Sequence, residues 1–130
     1  MNAFLIVALL ARMQNASLTV AQRNDACYAL RGNTSTAVAA AMRRALDDAP
    51  IRSCAAINLR AAAAIAELID ALNDPDPQVR ALAARQLGAF EKPELLQPLA
   101  AAAQDSQLIV AVNAVAGLAD YRDPVVVPYL

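Results

Sequence analysis

The stretch from Ile65 to Gly88 carries the clearest hydrophobic pattern in the chain. Its first part places apolar residues at i, i+3, i+4 and i+7, which indicates a helix with one apolar face. The prolines within residues 73–77 end that helix, and Asp76 is placed to cap a second one that opens at Pro77. The second helix also has one apolar face, and we predict that it ends at Gly88 in a left-handed conformation. Two short helices cannot bury both faces alone, so the pattern predicts further copies.

The copies recur at a spacing near 30 residues. Downstream steps of 31 match Asp74 with Asp105, Val79 with Val110 and Leu87 with Leu118. Upstream steps of 28 and 29 lead from Val79 to Ile51 and then to Gln22. A repeat spacing of this length is typical of solenoids. We therefore predict one all-α domain over 1–130, an α-solenoid of about four helix pairs plus the start of a fifth, with units at 2–32, 33–60, 61–89, 92–119 and 123–130.

The joint between the second and third units lacks a helix breaker. Residues 60–64 read RAAAA, without glycine or proline, and alanine favours the helix. The repeat nevertheless requires a break, which we predict near Arg60–Ala62. The alternative is one helix from Pro50 to Leu72, which would destroy the regular stack.

Residues 3–11, AFLIVALLA, are apolar on every side. The run is too short to span a bilayer, and no positive charge precedes it as in a secretory signal. We predict the first helix of the first pair, buried on one side by its partner, with a signal or anchor as the alternative. The segment after Asp123 is also apolar. We therefore expect self-association through the two ends, a partner at an end, or a chain cut from a longer one, and the contact residues would be Phe4, Leu5, Val125 and Val126.

The composition of the chain argues against several classes of function. The chain is 58% apolar and 4% aromatic, and it has a net charge of −1 and a pI near 5.2, so a surface that binds nucleic-acid phosphates is not expected. No histidine is present, which excludes Ser–His and Cys–His catalytic pairs and the commonest zinc ligand. We expect no cofactor, no metal, no enzymatic activity, no membrane span and a cytoplasmic location. Cys27 and Cys54 are interpreted as small buried apolar residues; they lie on adjacent units, so a disulfide is conceivable.

The central stretch closely resembles a HEAT repeat, and its short period is similar to that of the HEAT-like repeats of bilin (phycobiliprotein) lyases. The residues that carry the resemblance are Leu68, Leu72, Asp74, Val79, Arg80, Ala83, Ala84, Leu87 and Gly88. The resemblance implies a scaffold for protein–protein interaction, with a protein or peptide partner in a concave groove or at an apolar end. It also implies an alternative, a subunit of a bilin lyase-like enzyme acting on a phycobiliprotein chromophore, for which Tyr28 and Arg85 are the only candidate binding residues.

The resemblance further implies two rows of residues. In HEAT families the repeat arginine pairs with a turn aspartate, so we expect a structural ladder, with a phosphate-binding row as the alternative. The ladder residues are Arg23, Arg52, Arg80, Asp48, Asp74 and Asp105. The second helix of each pair should line the groove, a mostly small and apolar surface that suits a peptide or a protein, unless it is an ordinary solvent face. The groove residues are Asn24, Tyr28, Ser53, Ile57, Ala81, Arg85, Val112 and Ala116.

Overall fold

A computed structural model describes residues 1–121, which form α-helices and short turns without any β-strand. The predicted all-α class is therefore confirmed for this part of the chain. The helices are α1 (Ala3–Gln14), α2 (Val20–Ala29), α3 (Thr36–Ala45), α4 (Arg52–Ala61), α5 (Ile65–Ala71), α6 (Pro77–Gly88), α7 (Leu96–Ala102) and α8 (Leu108–Ala119). Two 3₁₀ turns, Ala49–Ile51 and Pro93–Leu95, lead into α4 and α7.

The chain divides into two compact units. In the N-terminal unit, Met1–Glu67, α1 packs on α2, α3 packs on α4, and α2 also contacts α4. In the C-terminal unit, which begins at Leu68 within α5, α7 packs on α8 and α6 packs on both. The single domain and the unit boundaries proposed from the sequence stay predictions.

Helix starts follow the polar residues that the sequence offers. Thr19 and Gln22 form a reciprocal capping box at α2, with the Thr19 Oγ1 atom accepting from the Gln22 amide at 3.1 Å. Ser35 caps α3. At α6 the Asp76 carboxylate accepts the Gln78 amide at 2.8 Å, and Pro77 occupies the first helical position. The capping role predicted for Asp76 is confirmed.

The break between α4 and α5 is present, but it lies about two residues later than predicted, at residues 62–64. Ala63 adopts a φ of +51°. The Ala64 amide donates to the Leu59 carbonyl at 2.9 Å and the Ala63 amide to the Arg60 carbonyl at 3.0 Å. This pair of bonds is a Schellman motif with alanine where glycine is usual, at a cost of about 1–2 kcal/mol for the left-handed backbone. The alternative of one helix from Pro50 to Leu72 is wrong.

Gly88 does not take the left-handed conformation that we predicted from the sequence. It is the last residue of α6, and its φ lies outside the left-handed region. Its role is close approach, because a Cβ added at Gly88 would lie 2.4 Å from the Cα of Gly117 in α8. The glycine therefore allows two helix backbones to touch, and it does not form a left-handed cap.

The N-terminal apolar run is a helix that packs on α2, and its predicted burial on one side is present in part, since Ile6, Leu9 and Leu10 are half-buried on the face that carries Met13. Met13 is the only buried residue of α1, and residues 3–11 are exposed or half-buried, with Phe4 exposed to 90%. The core of this unit comes instead from later residues: Leu30, Met42, Leu46, Ile51 and Leu59. Val125 and Val126, the apolar residues predicted at the other end, lie outside the described residues.

The two cysteines are buried, as predicted, but they are not free thiols. Cys27 of α2 and Cys54 of α4 form a disulfide with a Cα–Cα distance of 6.3 Å. The interpretation as unbonded apolar residues is therefore wrong, and the disulfide that the sequence left open is present. Across residues 1–121 no helix combines the length and the apolarity that crossing a bilayer requires.

Candidate protein-binding surface

The ladder arginines contact their own repeat, and Arg23 and Arg80 also contact the following turn. In the N-terminal unit the Arg23 Nε atom donates to the Met13 carbonyl at 2.8 Å, and its Nη2 atom pairs with the Asp48 carboxylate. The Arg52 Nε atom donates to the Leu46 carbonyl at 2.6 Å. Each contact joins a second helix to the end of the helix before it, and the Arg23–Asp48 pair reaches the next repeat.

The C-terminal unit has the same arrangement in more complete form. Arg80 makes two hydrogen bonds to the Asp105 carboxylate, at 2.9 Å from Nε and 3.2 Å from Nη2. Its Nη1 atom donates to the Asp74 carbonyl at 2.9 Å. The carboxylates of Asp74 and Asp105 also accept the amide two residues later, at 2.8 and 2.9 Å. Both aspartates therefore shape their turns, and the carboxylate of Asp105 also engages the Arg80 guanidinium, which a phosphate-binding row would need free.

The Arg80–Asp105 contact predicts a pH dependence of stability. Hydrogen bonds from Arg80 and then from the Gln107 amide lower the pKa of Asp105, against a smaller opposing effect of desolvation. A lowered folded-state pKa means that the stabilisation is complete above the ordinary pKa near 4 and is lost as pH falls through the folded value. We expect the free energy of unfolding to fall less steeply below about pH 5 in Asp105→Asn than in the wild type.

Urea denaturation at pH 7, 5 and 3.5 measures this effect. Asp120→Asn is the matched control, because it removes the same charge from an exposed position after α8. If Asp105→Asn and Asp120→Asn give the same acid dependence, the ion pair does not contribute as described.

In the N-terminal unit the predicted groove residues have different surroundings. Tyr28 and Ser53 are exposed and Ile57 is half-buried. Asn24 is engaged within the fold, because its Nδ2 atom donates to the carbonyls of Val20 and Pro50, both at 3.1 Å. Tyr28 and Ser53 are therefore the accessible predicted residues of this unit.

In the C-terminal unit, Arg85 and Val112 are exposed and Ala116 is half-buried. Ala81 is buried, so a partner cannot reach it, and its prediction as a groove residue is wrong. Tyr28 and Arg85, the two candidate residues for binding a bilin, belong to the N-terminal and the C-terminal unit respectively.

The largest apolar feature that we describe in this unit was only partly anticipated. Four side chains of α8 are between 41% and 77% exposed, and we call them the α8 stripe: Leu108, Ile109, Val112 and Val115. Only Val112 was expected from the sequence. The missed signal is that no residue from Leu108 to Ala119 is charged. The polar Asn113 bonds back to its own helix, where its Nδ2 atom donates to the Ile109 carbonyl at 2.7 Å.

The repeat spacing explains which face the α8 stripe occupies. A step of 31 residues relates Val112 to Ala81 and Val115 to Ala84, and both alanines of α6 are buried. The α6 backbone at Ala84 lies against α8, since a Cβ added at Gly117 would be 3.3 Å from the Ala84 carbonyl oxygen. In α8 the equivalent face is open and carries larger side chains. The α8 stripe is thus the face with which a second helix receives its successor.

Comparison with known proteins gives the family. A model of HEAT repeats matches residues 65–130, half of the chain. The chain belongs to the HEAT-repeat family. No curated protein shows significant similarity to it. HEAT repeats commonly mediate protein–protein interaction, which agrees with the exposed apolar helix just described. Within the described part of this HEAT-repeat protein, no group of three histidine, cysteine or acidic side chains is arranged to hold a metal ion.

Proposed function

We propose that this HEAT-repeat protein is a non-enzymatic scaffold whose α8 stripe binds an amphipathic helix of a protein partner. The observation that carries the proposal is an uncharged second helix with four exposed apolar side chains. A helix that is apolar on every side is ordinarily buried in a folded protein. A partner helix would bury the face of α8 that is open in the isolated chain.

The spacing of the α8 stripe suits a helix. Leu108, Val112 and Val115 follow one another at intervals of four and three residues, as core positions do when two helices pack side by side. Such a row is recognised by a partner helix with apolar residues at i, i+3 or i+4, and i+7. Because the row has no charge, it offers no counter-ion to an acidic or basic peptide, and it favours an apolar helical face over a charged extended one.

The size of the α8 stripe sets the expected affinity. The four side chains are on average about half exposed, and covering their exposed parts contributes roughly 3–6 kcal/mol. Association costs of several kcal/mol oppose this gain, so a single helix should bind with a dissociation constant in the micromolar range or weaker unless it makes further contacts. Such weak binding is typical of transient recognition.

A peptide titration tests the proposal. The probe is a fluorescent helical peptide with leucines at one heptad seam and glutamine and alanine elsewhere, compared with a scrambled peptide of the same composition. We expect anisotropy to report binding of the first peptide and at least tenfold weaker binding by Val112→Glu, because the glutamate would have to be buried unpaired. Val20→Glu is the matched control, since Val20 on α2 is 52% exposed and Val112 is 54% exposed.

Equal affinity of the two glutamate variants, or of the two peptides, would reject the α8 stripe as the binding surface. Sedimentation of the chain alone tests a second explanation, which is self-association through the α8 stripe. A dimer that Val112→Glu converts to a monomer would assign the α8 stripe to a second copy of this chain.

A further inference from the structure

We propose that the Cys27–Cys54 disulfide is a redox-dependent latch that holds the first helix pair, α1 and α2, on the second pair, α3 and α4. The bond joins α2 to α4, and the Cys27 sulfur also lies 4.0 Å from the Met42 sulfur of α3. All of these residues belong to the N-terminal unit. The α8 stripe is not involved, so this proposal and the proposed function can fail separately.

The first pair has few apolar contacts to hold it. Helix α1 fully buries only Met13, the buried residues within α2 are Arg23, Ala26 and Cys27, and Leu30 directly after α2 is also buried. Polar contacts add to these, namely the Arg23–Asp48 pair and a 3.1 Å hydrogen bond from Asn24 to the Pro50 carbonyl. Because the net gain from each such polar contact is small, the covalent bond carries a large share of the attachment.

The C-terminal unit shows what the corresponding contact looks like without a covalent link. There α6 and α8 approach at Gly88 and Gly117, and both helices bury rows of apolar side chains. The buried rows are Val79, Ala83 and Leu87 in α6 and Val110, Ala114 and Leu118 in α8. In the N-terminal unit α2 and α4 also bury Ala26, Ala55 and Leu59, but they contact each other less extensively than α6 and α8, and the disulfide joins them there.

Asn58 lies against the disulfide in a buried pocket, the Asn58 pocket, which Cys27, Met42 and Cys54 complete. Its Nδ2 atom donates to the Cys27 carbonyl at 2.8 Å and lies 3.4 Å from the Cys27 sulfur and 3.8 Å from the Cys54 sulfur. Its Oδ1 atom is buried without a hydrogen-bond partner among the described residues. A disulfide has no proton to offer this oxygen, whereas each reduced cysteine gains an S–H donor. Reduction therefore adds two S–H donors to a pocket whose buried Asn58 oxygen has no hydrogen-bond partner among the described residues, which favours a reversible bond.

The chemistry is thiol–disulfide exchange with a dithiol reductant. One thiolate of the reductant attacks a cysteine sulfur, the S–S bond breaks and a mixed disulfide forms. The second thiol of the reductant then releases the chain, so that two cysteine thiols and an oxidised dithiol result. Both sulfurs lie in buried residues, so the attack follows a transient opening of the first pair, and the loss of the bond then makes that opening more frequent.

Hydrogen exchange of the full chain, measured by mass spectrometry, tests the latch. We expect amides of α1 and α2 to exchange at least tenfold faster after dithiothreitol treatment, and those of α6 and α8 to change less than twofold. Oxidised glutathione should restore the slow exchange. The double variant Cys27→Ala/Cys54→Ala should exchange at the fast rate with or without dithiothreitol.

Three results would overturn the latch. Equal exchange of α1 and α2 in the oxidised and reduced wild-type chain would show that packing alone holds the first pair. A similar increase in all the helices described from residue 1 to 121 would show that the bond stabilises the fold generally. Alkylation of both cysteines in the native chain without reductant would show that the bond does not form.

Discussion

Gly88→Ala is expected to lower the free energy of unfolding by about 2–3 kcal/mol, although alanine normally strengthens a helix. The added Cβ would lie 2.4 Å from the Gly117 Cα and 3.1 Å from its carbonyl carbon. These are backbone atoms, which cannot move aside by changing a rotamer. The two helices α6 and α8 would have to separate, and the apolar rows between them would lose packing. Urea denaturation followed by circular dichroism measures the loss.

Gly117→Ala is the matched control on the facing helix. Its added Cβ would lie 3.2 Å from the Gly88 Cα and 3.3 Å from the Ala84 oxygen, so a shift of a few tenths of an ångström suffices. We expect a cost of at most about 1 kcal/mol, partly offset by the better helix propensity of alanine. A Gly88→Ala variant as stable as the wild type would contradict the close helix contact.

Met13→Ala is expected to cost about 2–5 kcal/mol and to release α1 from the N-terminal unit. Met13 is fully buried, and it is the only buried side chain of that helix. Its truncation removes the apolar anchor of α1 and leaves a cavity above α2 and α3, the helices that α1 contacts. We expect the helical circular dichroism signal to decrease by about one helix before the main unfolding transition.

Phe4→Ala provides the comparison for α1. The phenyl ring is larger than the Met13 side chain, yet it is 90% exposed, so its loss should change the free energy of unfolding by less than about 0.5 kcal/mol. A large cost for Phe4→Ala together with a small cost for Met13→Ala would mean that the apolar run 3–11 is covered, as its sequence pattern suggests.

The family and the class of the fold could be read from the sequence because they depend on local signals. Apolar spacing, the prolines near residues 73–77 and capping residues such as Thr19 and Asp76 act within a few positions of one another. The spacing of repeats also aligns the ladder residues, and the structure brings Arg23 to Asp48 and Arg80 to Asp105. The amphipathic pattern of a helix, however, does not say which neighbour covers its apolar face.

The candidate binding surface could be predicted only in part for that reason. The absence of charge from Leu108 to Ala119 is visible in the sequence, but a fully buried helix has the same composition. Only the packed structure separates Val112, which is exposed, from the repeat-related Ala81, which is buried. The Asn58 pocket is likewise invisible in the sequence, because its residues come from α2, α3 and α4.

The sequence by itself determined an all-α chain of HEAT-like helix pairs, since helix periodicity and caps are properties of neighbouring residues. Tertiary structure decided that Ala63 takes the left-handed position, that Gly88 serves contact with Gly117, and that Cys27 bonds to Cys54. Each of these outcomes depends on distances between residues that are remote in sequence, or on a backbone strain that the rest of the fold compensates. Such distances arise only when the helices pack.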